Sequence, residues 1–203
     1  IEIEVQLELK VIADVGLVGF PNVGKSTFLS RVTNAQPKIA NYHFTTLQPN
    51  LGVVDMEDGN GFVIADIPGL IEGAHEGVGL GDRFLKHVER CAALLHLIDA
   101  NAEDVVAVYK SIRRELDLYS EKMAEKPEVV VLNKIDTLTA AETADKVKAL
   151  EKASGKKVFA ISAVAQTGLL PSLREVSKYV TRDRKKLEEE QPQQEIEVKK
   201  TWS

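Results

Sequence analysis

Only one cysteine, Cys91, occurs among the 203 residues, which rules out an intrachain disulfide and a zinc site built on cysteines. No run of about 18 apolar residues is present, so no segment reads as a membrane span. Positive charge is not in excess: 26 Lys and Arg stand against 31 Asp and Glu, for a net charge of −5. That balance argues against direct binding of free nucleic acid through bulk charge, since modules that do so are usually basic. Nothing matches the pattern of a secretory signal peptide. What is present is ordinary for a globular protein, with 44% hydrophobic and 28% charged residues, too apolar and too weakly charged for disorder. The length suits one domain, or a domain with an appendage, whose core needs no covalent staple. A cytoplasmic monomer is the expectation, and the start at Ile1 rather than Met suggests an excised piece.

Ile1, Ile3, Val5, Leu7 and Leu9 alternate with polar residues, the period-two pattern of a half-buried strand over 1–10. Beyond it, short apolar runs at 13–18, 51–56, 62–65, 93–98, 129–132 and 158–161 predict six strands. Helical patterns fall at 26–32, 82–90, 103–123, 139–153 and 169–180. Over 103–123, Val105, Val108, Ile112, Leu116, Tyr119 and Met123 recur at steps of three and four, as on one amphipathic helix. Thr139 followed by Glu142 predicts a capped helix start. Residues 35–50 carry Pro37 and Pro49 and read as a loop, and the glycines of 67–82 mark a second, mobile loop. Strands alternating with helices predict an α/β fold with a mostly parallel six-stranded sheet flanked by helices. The charged segment 182–203 reads as a helix extension fraying into a linker.

Five motifs follow predicted strands. The first, Gly19-Phe20-Pro21-Asn22-Val23-Gly24-Lys25-Ser26, is a P-loop between a predicted strand and a predicted helix, the context that motif requires. Its backbone N–H groups and the helix N-terminus would cradle phosphate. Lys25 would reach the β- and γ-phosphates, and the Ser26 hydroxyl would bind Mg²⁺. The second, Asp66-Ile67-Pro68-Gly69, offers a carboxylate to magnesium through water and a glycine N–H to the γ-phosphate. The third, Asn133-Lys134-Ile135-Asp136, supplies a carboxylate for the two N–H donors on the guanine edge; adenine has no such pair. Asn133 and Lys134 would brace the loop and cover the ring. In the fourth, Ser162-Ala163-Val164, a backbone N–H can meet the guanine oxygen. The fifth is Phe44-Thr45-Thr46-Leu47, followed by Gln48. A hydroxyl there can complete the magnesium shell only while the γ-phosphate is present, which makes the loop a switch. Both threonines are kept in the nucleotide site, and Thr46 is assigned to the metal.

Ligands in open α/β sheets bind at the carboxyl ends of the strands. A guanine-nucleotide switch with a P-loop G domain is the reading from this chemistry. Lys25, Thr46 and Gly69 are its catalytic candidates.

These residues carry a family resemblance. The stretch from Asp66 to Gly79, DIPGLIEGAHEGVG, resembles the signature of the Obg GTPases, as do GFPNVGKST, NYHFTTLQPNLGVV and GLGDRFLKHVERCAALLHLIDA. The TLQPNLGVV and GLGDRFLKHVER stretches look more like bacterial or organellar Obg proteins than like their eukaryotic cousins, and the intact NKID argues against the relative that binds ATP. The resemblance covers about residues 11–182, which it implies to be the G domain. Residues 1–10 would then be the exit strand of a preceding domain and 183–203 a linker toward a following one. It also implies a role in assembly of the large ribosomal subunit and a link to stress signalling through guanosine tetraphosphate (ppGpp).

Many switch GTPases place a glutamine after the aspartate–glycine motif to orient the attacking water. Leu70 stands there instead and cannot hydrogen-bond water, so slow intrinsic hydrolysis is expected. Glu72 and His75 nearby read as solvated loop residues. Asn22 occupies a P-loop position where several GTPases that resemble this one in lacking the glutamine use Asn to help bind K⁺, a cation that would offset transition-state charge. Two functions follow: a slow GTPase switch, or a GDP and ppGpp sensor with negligible turnover. ATPase or nucleotide kinase activity is disfavoured by Asp136. His43, His87 and His96 form no metal-ligand spacing, and Cys91 reads as a core residue.

Overall fold

The computed structural model describes residues 12–34, 37–39, 49–66 and 88–190. The expected strand over 1–10, most of the expected helix over 82–90 and the tail beyond Glu190 lie outside them. Among the described residues seven strands form one sheet: β1 (Val15–Val18), β2 (Lys38–Ile39), β3 (Asn50–Val54), β4 (Phe62–Asp66), β5 (Ala93–Asp99), β6 (Glu128–Asn133) and β7 (Val158–Ala160). Their spatial order is β2-β3-β4-β1-β5-β6-β7. β4, β1, β5, β6 and β7 run parallel, and β3 pairs antiparallel with both β2 and β4.

The parallel strands are apolar on both faces because helices cover both. Along β5, Ala93, Leu95 and Leu97 join Phe28 and Leu29 of α1 (Lys25–Val32) and Leu173, Val176 and Val180 of α5 (Leu169–Glu190). The alternate residues Leu94 and Ile98 pack on the opposite face. There the partners include Val105, Ile112 and Leu116 of α2 (Val105–Tyr119), Met123 of α3 (Glu121–Ala124) and Leu150 of α4 (Ala140–Ser154). Each fully buried Leu or Ile contributes about 1.5–3 kcal/mol relative to exposure.

Local signals set the helix ends. The Asp104 carboxylate accepts from the N–H groups of Val106 and Ala107 and starts α2. Thr139 and Glu142 form the expected reciprocal capping box of α4, and Gly155 closes that helix at φ 66°. The single helix expected over 103–123 is instead two: Ser120 is extended, and its hydroxyl accepts from the Met123 N–H to begin α3. The seventh strand, β2, lies in the segment expected to be loop; two exposed residues leave no period to read. α5 runs from the helix expected over 169–180 into the helix extension expected from residue 182, and continues to Glu190.

One polar cluster is buried on the α2 side. Glu128 and His96 are wholly buried and meet at 2.8 Å; Tyr109 and Lys156 donate to the other Glu128 oxygen at 3.2 and 2.6 Å. Burial pushes the Glu128 carboxyl up, but the His96 and Lys156 partners outweigh it and hold the carboxyl at about 2. Burial pushes the Cys91 thiol up to about 12.

Candidate functional site

The parallel strands end together, and the loops that leave them form the site. β1 stops at Val18 and the chain turns through residues 19–24 into α1. Gly19 passes so close to β5 that a side chain there would meet the Leu97 carbonyl oxygen at 2.6 Å. Gly24 holds φ 100° and caps α1; a Cβ there would lie 2.5 Å from Asn133 Nδ2. Asn22 holds the left-handed conformation at φ 62° without being glycine, a strain that persists only where the surroundings impose it. No side chain caps α1, so its first N–H groups remain donors for an anion.

Lys25 Nζ donates to the carbonyl oxygens of Gly19 and Phe20 at 2.9 and 3.3 Å. Burial lowers its pKa below the ordinary lysine value, opposed by the Asp66 charge. Asp66, at the end of β4, is raised above the ordinary carboxylate range by burial, opposed by Lys25 and Ser26. The Ser26 hydroxyl lies 3.5 Å from Asp66 Oδ2. Asp66 Oδ1 is buried and has no hydrogen-bond partner. A hard divalent cation takes oxygen ligands, so a hydroxyl beside an unpartnered buried carboxylate oxygen fits Mg²⁺. No cluster of three His, Cys, Asp or Glu side chains suited to a metal occurs among the described residues.

The second half of the site grows from β6 and β7. Asn133, at the end of β6, is 2% exposed. Its amide donates to the Val23 carbonyl at 2.9 Å, and its oxygen accepts from the Ala163 N–H at 3.0 Å. One side chain therefore clasps the P-loop and the 162–164 loop. Replacing Asn133 with alanine leaves both groups unpaired in a buried place, at about 1–3 kcal/mol each. The expected outcome is a melting midpoint lower by about 5–15 °C for a domain of this size, read by thermal denaturation followed by circular dichroism.

Lys134 adopts φ 70° and begins the 3₁₀ turn Ile135–Thr137. The Ser162 hydroxyl donates to Asp136 Oδ1 at 2.6 Å and accepts from the Ala165 N–H at 3.0 Å. Asp136 is exposed, Ser162 and Ala163 are buried and Val164 is exposed. The structure thus brings together the first motif, Asp66, the third motif and the fourth. Phe44, Thr45, Thr46, Leu47, Gln48, Ile67, Pro68, Gly69 and Leu70 lie outside the described residues, as do Glu72 and His75.

Asp99 was missed by sequence reasoning. It ends β5 and accepts from Lys134 Nζ at 2.6 Å. The readable signal was its place: it closes a buried strand on the edge where the other four motifs begin. The side-chain role of Ser162 was missed as well, since only the backbone of its loop was considered.

The family model described as "50S ribosome-binding GTPase" matches residues 14–134. A GTPase Obg from Acidiphilium cryptum is 58% identical over 180 residues, which cover 89% of this chain and 54% of the relative. One from Rickettsia bellii is 60% identical over 168 residues, 83% of this chain and 51% of the relative. The chain therefore spans about half the length of these relatives. Among solved structures, a GDP-bound S. thermophilus NFeoB mutant superposes with a TM-score of 0.63 at 21% identity, covering 83% of this chain and 63% of that one. The G domain of the T. maritima FeoB iron transporter has a TM-score of 0.56 at 21% identity, covering 84% and 97%. At that identity the likeness shows the fold, a P-loop G domain. No helix among the described residues is long and apolar enough to cross a membrane. By family model and by relatives, the chain belongs to the 50S ribosome-binding GTPases and, among them, to the Obg family of GTPases.

Proposed function

We propose that this chain binds GTP and GDP with Mg²⁺ and slowly hydrolyses GTP to GDP and phosphate. The observation that carries the reading is the unpartnered, buried Oδ1 of Asp66 beside the Ser26 hydroxyl at the mouth of the P-loop. Ser26 and Thr46 would hold the magnesium directly and Asp66 would hold it through water. When bound, that ion neutralises charge on the β- and γ-phosphate oxygens. Lys25 exchanges its P-loop carbonyl acceptors for phosphate oxygens and stabilises charge that develops on them. The P-loop N–H groups from Gly19 to Ser26 cradle the phosphates, and the Gly69 N–H meets the γ-phosphate. Asp136 accepts from the guanine edge, with its carboxylate oriented by Ser162. A backbone N–H of the 162–164 loop meets the guanine oxygen. Asn133, Lys134 and Ile135 shape the base pocket. Phe44 to Gln48 and Ile67 to Leu70 form the nucleotide-sensitive loops.

Leu70 supplies no hydrogen bond to water, which favours slow turnover and keeps a GDP or ppGpp sensor as the second reading. Asn22 is proposed to help hold K⁺ near the phosphates. Residues 11–182 are taken as the G domain, extended by the run of α5 to Glu190, with 1–10 and the remaining tail as flanks of it. The description of the matching family supports an association with the large ribosomal subunit; a cytoplasmic part in its assembly and in stress responses is proposed from the family resemblance.

The test is nucleotide binding and single-turnover hydrolysis by this chain. GTP and GDP are expected to bind at least about a hundredfold more tightly than ATP, with Mg²⁺ tightening GTP. Hydrolysis is expected to be faster in KCl than in NaCl at equal ionic strength. Equal binding of ATP refutes the guanine site; equal rates in the two salts refute the K⁺ role.

A further inference from the structure

Asp99 lies at the join between the two ends of the site. Its Oδ2 accepts from Lys134 Nζ at 2.6 Å, and the same ammonium donates to the Asn22 carbonyl at 2.7 Å. Its Oδ1 accepts from the Asn101 backbone N–H at 2.9 Å and the Asn101 side-chain amide at 3.1 Å. Asn101 in turn accepts from the Thr137 hydroxyl at 2.8 Å, and Thr137 belongs to the turn that carries Asp136. Both carboxylate oxygens are thus held, and the carboxylate is a fixed anchor.

We propose that Asp99 is a positioning residue for nucleotide binding, which holds the Lys134 ammonium against the Asn22 carbonyl and so couples the base-reading turn to the phosphate loop. Asn22 and Lys134 both sit in the left-handed region, at φ 62° and 70°. Asn adopts that region readily, but a lysine does so only where its surroundings hold it there. The ammonium is the contact that joins the two segments. It sits at the end of a flexible four-carbon stem with strong hydration, and a neutral carbonyl alone holds such a group weakly. A charged acceptor at 2.6 Å makes the arrangement single-valued. Removing the carboxylate frees the ammonium to water and lets the 19–24 loop and the 134–137 turn move independently.

The inference rests on the nucleotide site proposed above, and its test separates the two. Dissociation of a fluorescent GDP analogue is measured for the unaltered chain, Asp99→Ala, Lys134→Ala and the double variant. Asp99→Ala is expected to release GDP about tenfold faster, within the usual range of coupling between contacting residues. In the Lys134→Ala background the same change is expected to add nothing, because Asp99 acts through that lysine. Asp99→Asn preserves the side-chain shape and removes the charge; it is expected to speed release as well, and serves if Asp99→Ala does not fold. Unchanged release in Asp99→Ala and Asp99→Asn overturns the proposal, and so does an additive effect in the double variant. Failure of the unaltered chain to bind the analogue overturns the nucleotide site itself, and this role with it.

Discussion

Replacing Asp136 with asparagine is expected to weaken GTP and GDP binding by about a hundredfold or more and to turn the protein toward xanthine nucleotides. Guanine presents two adjacent donors, N1–H and the exocyclic amine, and a carboxylate accepts both. An amide accepts one and sets its own donor against the other, which leaves polar groups unpaired against the bound base. That is the situation in which discrimination is strongest. Xanthine carries a carbonyl in place of the amine and matches the amide. The Ser162 hydroxyl now donates to Asp136 Oδ1 at 2.6 Å, and it can donate equally to an amide oxygen, so the loop keeps its shape. Because Asp136 is exposed, the melting midpoint of the nucleotide-free protein is expected to stay within about 2 °C. Calorimetric titration with GDP and XDP checks both halves. Undiminished GDP affinity in the variant would show that this carboxylate does not read the base.

Lys25→Ala is expected to lower single-turnover hydrolysis by about 10²–10³-fold, the usual consequence of deleting one preorganised charge-stabilising donor. Burial has already lowered the proton affinity of this ammonium, opposed by Asp66, so part of its desolvation is met in the folded protein before phosphate arrives. Its two carbonyl acceptors belong to Gly19 and Phe20; losing the donor therefore disturbs the P-loop itself, and weaker GTP binding is expected alongside the slower reaction. Measuring the rate at saturating GTP separates the two effects. A rate within tenfold of the unaltered protein would place charge stabilisation on other groups. Preference for guanine over adenine is expected to persist, since Asp136 is untouched.

The parts of this fold legible in the sequence were those whose signal is local. The capping box at Thr139 and Glu142 is written in two residues of a known spacing, and it formed as expected. The P-loop was legible because glycine positions, strand and helix agree with one another. Helix α2 was legible in its period and not in its end: the apolar steps run on through Met123, whereas Ser120 breaks the helix by capping the next one. A capping serine inside a periodic stretch looks like any polar surface residue. Strand β2 has two residues and earns its place only by pairing with Leu51 and Asn50, a partner no local pattern announces. Within the site, Asp99 and the clasp made by Asn133 depend on distant chain segments. The Asn133 amide reaches a carbonyl 110 residues away, a relation that no spacing rule records.

That clasp also bears on when the protein becomes competent during its synthesis. The loop of residues 19–24 is made before the amide that secures it, which is added 110 residues after Val23. At about 5–20 residues per second this is a delay on the order of ten seconds. Until then the nascent chain carries the glycines and lysine of a phosphate cradle with no Asn133 to clasp it. Closing that contact requires β6 to have joined β5 beside β1. The cradle is therefore completed well after its own residues have been made, and stalled or truncated products that end before residue 133 are expected to hold nucleotide less well than finished molecules.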